Sequence, residues 1–261
     1  HPTVVEAWRQ MAGTLDEASM TALNARVEGG LNSESAAAAA YLAEHFTDAA
    51  DDVTADLSLP ARLWQRTIEH AWLVVAAMLL GIALAVPLGV LAAGGRTAGR
   101  VVLGITGIVQ TIPSIALLVF MIPLLGIGPK PAIAALFLYS LLPMVRNTHA
   151  GLVGIPKPIL ESAEALGLSQ WHRLTRVELP LALPSILAGI KTSAVITVGF
   201  ATLGGFIGAG GYGQTIFDGL RNDSVRTTLE GAVPAAVMAL VVQFGLDLVG
   251  KVVVPRGLAS D

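Results

Sequence analysis

A run of 23 residues, 71–93, contains no charged side chain, and it constrains the fold more than any other feature. About 20 apolar residues are enough for a helix to cross the roughly 30 Å hydrocarbon core of a bilayer. The chain has 261 residues, 54% hydrophobic and 13% charged, whereas soluble domains contain about 25% charged residues. The sequence therefore predicts an all-α, polytopic membrane protein.

Further apolar segments predict four more spans, at about 101–125, 131–145, 186–206 and 232–254. We expect residues 57–70 to form a short interfacial helix before the first span, because Trp residues suit the membrane interface. The third segment has the shortest apolar run.

Polar residues interrupt the second span. Such a proline-bearing break either lines a cavity or frees a carbonyl that a neighbouring helix satisfies. Polar groups inside spans are also the default candidates for a translocation path, although ordinary hydrogen bonds between helices are an alternative. The candidates are Gln110, Thr111, Pro113, Ser114 and, in the last span, Gln243.

Segment 161–180 is polar and lies between apolar runs. It predicts two helices separated by a turn at Gly167, whose missing side chain permits unusual backbone angles. Ser169 is the expected cap of the second helix. Trp171, Leu174 and Val177 would form its apolar stripe, and Pro180 is expected to end it.

The spacing of this segment resembles the EAA loop of ABC importer permeases. That loop reads E-A-A, three residues, Gly, nine residues, I-x-L-P, and here Ser162 replaces Ala and Val177 replaces Ile. The resemblance implies a cytoplasmic loop that couples the permease to an ATPase; an ordinary amphipathic loop is the alternative. The coupling residues would be Glu161, Ser162, Ala163, Gly167, Val177, Leu179 and Pro180.

The resemblance implies the type I ABC importer permease fold, with about five spans in the inner or plasma membrane. It also implies partners: cytoplasmic ABC ATPase subunits, a second permease copy or paralogue, and a substrate-binding protein or fused binding domain. ATP would bind to the ATPase, and no cofactor to this chain.

The segment 206–213 is similar to one in osmoprotectant permeases, which move glycine betaine, choline or carnitine. Methionine-type permeases share this plan, so a permease for methionine, ergothioneine or another small solute remains an alternative. An ion-coupled secondary transporter would need ionisable groups near the midplane, but Lys191 and Asp247 lie near predicted span ends. A membrane scaffold that does not transport would have no need of the coupling loop.

Residues 1–56 are predicted to form an extracytoplasmic helical segment, and 57–261 the transmembrane permease domain. Thr14 and Glu17 are spaced as a capping box, and a second helix is expected up to residue 46. Leu15-Asp16, Met20, Leu23-Asn24 and Val27 resemble the C-terminal end of osmoprotectant substrate-binding proteins. The resemblance implies that a binding domain precedes His1 in a parent polypeptide; a generic alanine-rich hairpin is the alternative.

Charge distribution predicts the orientation. Residues 1–70 carry eleven acidic and four basic side chains, which argues against nucleic acid as a partner. With five spans, three sets of the basic side chains that follow fall on the same side, and the positive-inside rule makes that side cytoplasmic. The three sets are Arg96 and Arg100; Arg146, Lys157, Arg173 and Arg176; and Lys251 and Arg256.

Catalytic and metal-binding patterns are missing from the sequence. The chain has no cysteine, and no two of its five histidines have the i, i+4 spacing of a helical metal site. We therefore expect a transport subunit and not an enzyme, with no metal.

Asp247 and Lys251 are expected to pair at i, i+4.

Overall fold

The computed structural model describes residues 15–28, 34–45 and 58–254. The chain divides into two compact units, 1–62 and 63–261. A short π-helical turn spans Leu174–Glu178, and a 3-10 helix spans Thr202–Ile207. The described residues confirm the all-α prediction. Their α-helices are α1 Glu17–Glu28, α2 Glu34–His45, α3 Leu59–Ala93, α4 Arg96–Thr111, α5 Ser114–Leu125, α6 Pro129–Val153, α7 Lys157–Ala165, α8 Gln170–Arg173, α9 Leu179–Ala201, α10 Gly211–Arg221 and α11 Val225–Val253.

The first unit contains α1 and α2, whose bounds agree closely with those of the two predicted helices. Asp16 caps α1, since its Oδ1 accepts a hydrogen bond from the Ser19 N–H at 2.7 Å. Hydrogen bonds from Ser19 lower the pKa of Asp16, because they stabilise the charged carboxylate. The predicted cap, Thr14, lies outside the described residues, as does the predicted end of the second helix at residue 46.

Three helical segments in the described part of the chain have the length and apolar content of membrane spans: α3, the continuous segment Gln170–Ile207, and α11. The α4–α5 pair is a fourth if its 96° bend lies within one broken span. Helix α6 has 25 residues, or about 37 Å at 1.5 Å per residue, and so is long enough to cross. The C-terminal half of α6 is more polar than the other segments named in this paragraph.

The predicted interfacial helix at 57–70 is not separate. It is continuous with the first span, and α3 has 35 residues in total. No proline or glycine lies between residues 61 and 80, so nothing in the local sequence breaks the helix there.

Small residues allow α6 and α9 to pack closely at the centre of the second unit. A Cβ on Gly189 would lie 2.7 Å from the Asn147 Cβ, and one on Gly151 would lie 2.7 Å from the Ser185 Cβ. The Ser193 hydroxyl donates to the Ser140 carbonyl at 2.8 Å. Small side chains and hydrogen bonds between helices are the usual means of association in membranes, where apolar contact with lipid is equally favourable.

The glycine-rich segment after α9 packs against the N-terminal half of α3. The Gly211 N–H donates to Glu69 Oε2 at 2.8 Å, and the hydroxyls of Thr67 and Tyr212 are 2.7 Å apart. His70 is fully buried, with Nε2 at 3.0 Å from the Val198 carbonyl oxygen. Backbone segments approach closely here, since a Cβ on Gly205 would lie 2.7 Å from the Gln214 nitrogen. Helix α10 begins within the glycine-rich segment, at Gly211.

Candidate functional site: the coupling segment and the polar groups of the spans

The turn at Gly167 is a Schellman motif that ends α7. The Leu168 N–H bonds the Ala163 carbonyl at 3.2 Å, and the Gly167 N–H bonds the Glu164 carbonyl at 2.9 Å. Gly167 has φ +76°, a left-handed conformation that glycine adopts without strain. The second helix then begins at Ser169, whose hydroxyl accepts from the His172 N–H at 3.4 Å. The predicted helix, turn and cap are all present.

Pro180 does not end the second helix, and that prediction is wrong. Helix α8 continues through the π-turn into α9, where Pro180 occupies the first turn. Pro180 has no N–H to bond a carbonyl one turn earlier, and the π-turn directly before it is the local irregularity of the continuous helix. In the π-turn the Leu179 N–H bonds the Leu174 carbonyl, five residues earlier.

Two ion pairs from Arg173 hold residues 161–180, the predicted coupling segment, together. Its Nε lies 2.6 Å from Glu178 Oε1, and its Nη1 contacts Glu164 Oε1 across the Schellman turn. Leu174 and Leu179 pack against a small apolar cluster. Arg173 therefore joins the two helices of the segment, while leucines attach the second helix to the rest of the unit. The cluster consists of Leu152, Ile155, Ala182 and Ile186.

The predicted coupling residues differ in exposure. Glu161, Ser162 and Gly167 are exposed, Ala163 is buried at 4%, and the remaining three are half-buried: Val177, Leu179 and Pro180. The Ser162 hydroxyl donates to the Pro158 carbonyl at 2.7 Å. Glu161 forms no ion pair with the described residues of this chain.

Two large apolar side chains beside these residues face solvent. Leu166 is 82% exposed and Trp171 is 69% exposed. Of the predicted apolar stripe, Trp171 is thus exposed, whereas Leu174 and Val177 are half-buried. Exposed apolar side chains of this size beside polar residues occur at protein-binding surfaces, and tryptophan is enriched at their centres.

The break in the second span is a sharp bend between α4 and α5, at residues 112–113. The Tyr139 hydroxyl bonds the Ile112 carbonyl, and Gln110 Nε2 donates to the Tyr139 carbonyl at 3.0 Å. The neighbouring helix α6 thus satisfies the freed carbonyl. Ser114 also lines a small cavity with Tyr139 and Phe200, so both predicted consequences of the break occur.

Of the other candidates for the translocation path, Thr111 and Pro113 lie at the break and Gln243 does not. The Thr111 hydroxyl bonds the Ile108 carbonyl of its own helix at 2.7 Å, and Pro113 precedes α5 as its N-cap residue. Gln243 is half-buried on α11, which packs mainly against α9 and α10.

An ion pair between two spans was missed. Lys191 Nζ lies 2.6 Å from Asp247 Oδ1, so the expected pairing of Asp247 with Lys251 is wrong. Lys191 lies twelve residues after the start of the 23-residue helix α9, whose first two residues belong to segment 161–180. The rule that charges within spans pair with one another would have indicated this contact from the sequence.

Known proteins are similar to this chain in both sequence and fold. The glycine betaine/carnitine/choline transport system permease protein OpuCB of Bacillus subtilis (strain 168) is 45% identical over 196 residues, which are 75% of this chain and 90% of that protein. The osmoprotectant import permease protein OsmW of Salmonella typhimurium (strain LT2) is 41% identical, over 74% of this chain and 92% of that protein.

An inward-facing structure of the MetNI methionine ABC transporter superposes with a TM-score of 0.68 at 26% identity. The match covers 76% of this chain and all of that one. A family model for binding-protein-dependent transport system inner membrane components matches residues 85–257. The chain therefore belongs to this family of inner-membrane transport permeases.

Proposed function

We propose that this chain is the membrane-spanning subunit of an ATP-driven importer for quaternary ammonium osmoprotectants such as glycine betaine and choline. The observation that carries the proposal is the coupling segment, a hydrogen-bonded helical turn with exposed Glu161, Leu166 and Trp171. The substrate class in this proposal rests on relatives at 41–45% identity, which are named for osmoprotectant, glycine betaine, carnitine and choline transport.

Coupling requires that movement of the ATPase reach the membrane. The exposed side chains of the coupling segment dock on a cytoplasmic ABC ATPase, with Glu161 making a polar contact and Gly167 setting the turn. Ala163 is buried, so it packs within this chain. Because the segment is continuous with α9, its displacement moves a membrane-spanning helix. ATP is bound and hydrolysed on the ATPase, and this chain binds no cofactor.

The remaining parts of the importer follow from this assignment. A second permease copy or paralogue completes the translocation path, and Gln110, Thr111, Pro113, Ser114 and Gln243 are its candidate lining. The positively charged loops are cytoplasmic, which places residues 1–56 outside. That segment is the end of a substrate-binding domain, and a binding protein or fused domain delivers the ligand.

Uptake measurements test the ligand class. Cells that lack their own importers would express this chain with its ATPase and binding protein, and take up labelled glycine betaine. We expect energy-dependent uptake that excess choline blocks. Uptake of methionine without uptake of betaine would contradict the osmoprotectant assignment and leave a methionine permease, which the MetNI similarity favours next.

A charge-neutral variant tests the docking. Glu161→Gln should lower ATPase co-purification by about three- to tenfold, since loss of one charged contact typically has that size, and leave the amount of chain in the membrane unchanged. Arg226→Gln is a matched control, because Arg226 is 82% exposed on α11. Equal co-purification for both variants and the unmodified chain would contradict a role for Glu161.

A further inference from the structure

The Lys191–Asp247 ion pair lies at the side of an open groove between α9 and α11. Both side chains remain partly accessible, at 39% and 41%. The groove is broad and open to its surroundings. Its walls include Pro184, Leu187 and Lys191 of α9 and Phe244, Asp247 and Lys251 of α11.

Three of these residues form one stripe along α11. Phe244, Asp247 and Lys251 are spaced at i, i+3 and i+7, so they share one face of the helix. Phe244 is 64% exposed. An aromatic ring, a carboxylate and two ammonium groups are thus accessible within one groove.

The groove does not suit contact with lipid. Ionisable side chains within spans face the bundle interior or a water-filled cavity, because exposing a charge to hydrocarbon costs several kcal/mol. A simple structural pair would not require an open groove around it. Partly accessible charges on α9 and α11 therefore favour water over lipid on this side of the unit.

The groups present match a zwitterionic quaternary ammonium compound. A quaternary ammonium has no N–H to donate, so it is recognised by carboxylates and aromatic faces, which Asp247 and Phe244 supply. A substrate carboxylate needs a cation, which Lys191 supplies. Each charge of the pair would exchange its partner in the chain for the opposite charge of the substrate, so neither would be left unpaired.

On the basis of the proposed function, we propose that Lys191, Asp247 and Phe244 form a transient substrate site in the translocation path. Lys191 receives the carboxylate of a zwitterion such as glycine betaine. Asp247 and Phe244 receive the trimethylammonium group that glycine betaine and choline share. Choline has no carboxylate, so it uses only the second part of the site.

This division of roles predicts opposite selectivity changes in two variants. Lys191→Gln removes the carboxylate partner and frees Asp247, so it should lower betaine uptake relative to choline uptake by about tenfold. Asp247→Asn removes the ammonium partner and frees Lys191, so it should lower choline uptake relative to betaine uptake by a similar factor. Arg226→Gln, on α11 but outside the groove, should leave the ratio unchanged.

The experiment is competitive uptake of labelled betaine and choline by the same cells, with the whole importer expressed. The ratio of the two rates does not depend on how much chain reaches the membrane. Crossed changes in the two variants support the site. Equal loss of both substrates in both variants means that the pair is only structural and overturns it, as does an unchanged ratio.

A third variant covers the case in which the charge variants fail to insert. Phe244→Leu keeps an apolar side chain and should lower uptake of both compounds about three- to tenfold through the lost cation–π contact, while Phe244→Trp retains it. Full uptake by Phe244→Leu would overturn the site. An unmodified importer that moves neither compound would instead overturn the proposed function, and this inference with it.

Discussion

Glycine serves different purposes in the coupling segment and in the glycine-rich segment after α9. At Gly167 the backbone has φ +76°, and an added Cβ would meet no atom within 4 Å. At Gly213 an added Cβ would lie 2.7 Å from the Thr202 carbonyl carbon, and at Gly205 it would lie 2.7 Å from the Gln214 nitrogen. The first glycine sets a backbone direction on an open surface, whereas the others allow two backbone segments to touch. Only the second kind should be essential for stability.

The largest effect is expected for Gly213→Ala. The new Cβ would overlap backbone atoms of Thr202, which cannot move as a flexible side chain can, so we expect a loss of about 3 kcal/mol in the free energy of unfolding. Thermal unfolding of the purified chain in detergent measures it. Gly199→Ala is the control, because nothing lies within 4 Å of its Cβ position; equal stability of the two variants would refute the contrast.

A smaller loss is expected for Glu69→Ala, which removes the acceptor of the Gly211 N–H. An unsatisfied N–H at the start of α10 should cost about 1–2 kcal/mol. Glu69→Gln retains an acceptor oxygen and should recover most of the loss. If both variants unfold at the temperature of the unmodified chain, this contact does not hold the glycine-rich segment in place.

In the coupling segment we expect a small loss of stability but a large loss of function. Gly167→Asp should cost about 1 kcal/mol, the strain of a left-handed non-glycine residue, and reduce uptake at least tenfold with insertion intact. Gly126→Asp is matched, since Gly126 has φ +80° and equally open surroundings. A similar reduction of uptake in both variants would assign the effect to strain and not to docking.

The smallest effect on stability is expected for Leu166→Ser. Leu166 is 82% exposed, so its replacement should change the free energy of unfolding by less than about 0.5 kcal/mol. Co-purification of the ATPase should nevertheless decrease. A clear drop in unfolding temperature would show that Leu166 is packed within the permease and would weaken the comparison.

Local features of the sequence predicted much of the site. The turn at Gly167, the cap at Ser169 and the break near Pro113 depend on neighbouring residues, so spacing and residue type were sufficient. The effect of Pro180 was misjudged, because the π-turn before it depends on how Leu174 and Leu179 pack on distant apolar side chains. Such packing is not visible in a window of a few residues.

Contacts distant in the sequence account for the other errors. Lys191 and Asp247 are 56 residues apart, and the nearby Lys251 offered a plausible local partner. Helix α10 begins within a run of glycines that local propensity disfavours. Its first turn is stabilised by contacts with the N-terminal half of α3 that form only in the folded chain, where Glu69 accepts from the Gly211 N–H and the Thr67 hydroxyl bonds that of Tyr212.

The absence of a break at Pro180 has a mechanical consequence. Residues Gln170–Ile207 form a continuous helical segment of 38 residues, about 57 Å long at 1.5 Å per residue. A rigid rod of this length that tilts by about 5° around its midpoint shifts each tip by roughly 2–3 Å in opposite directions. One tip carries the end of segment 161–180 and the other the glycine-rich segment, so such a tilt would displace these two segments in opposite directions.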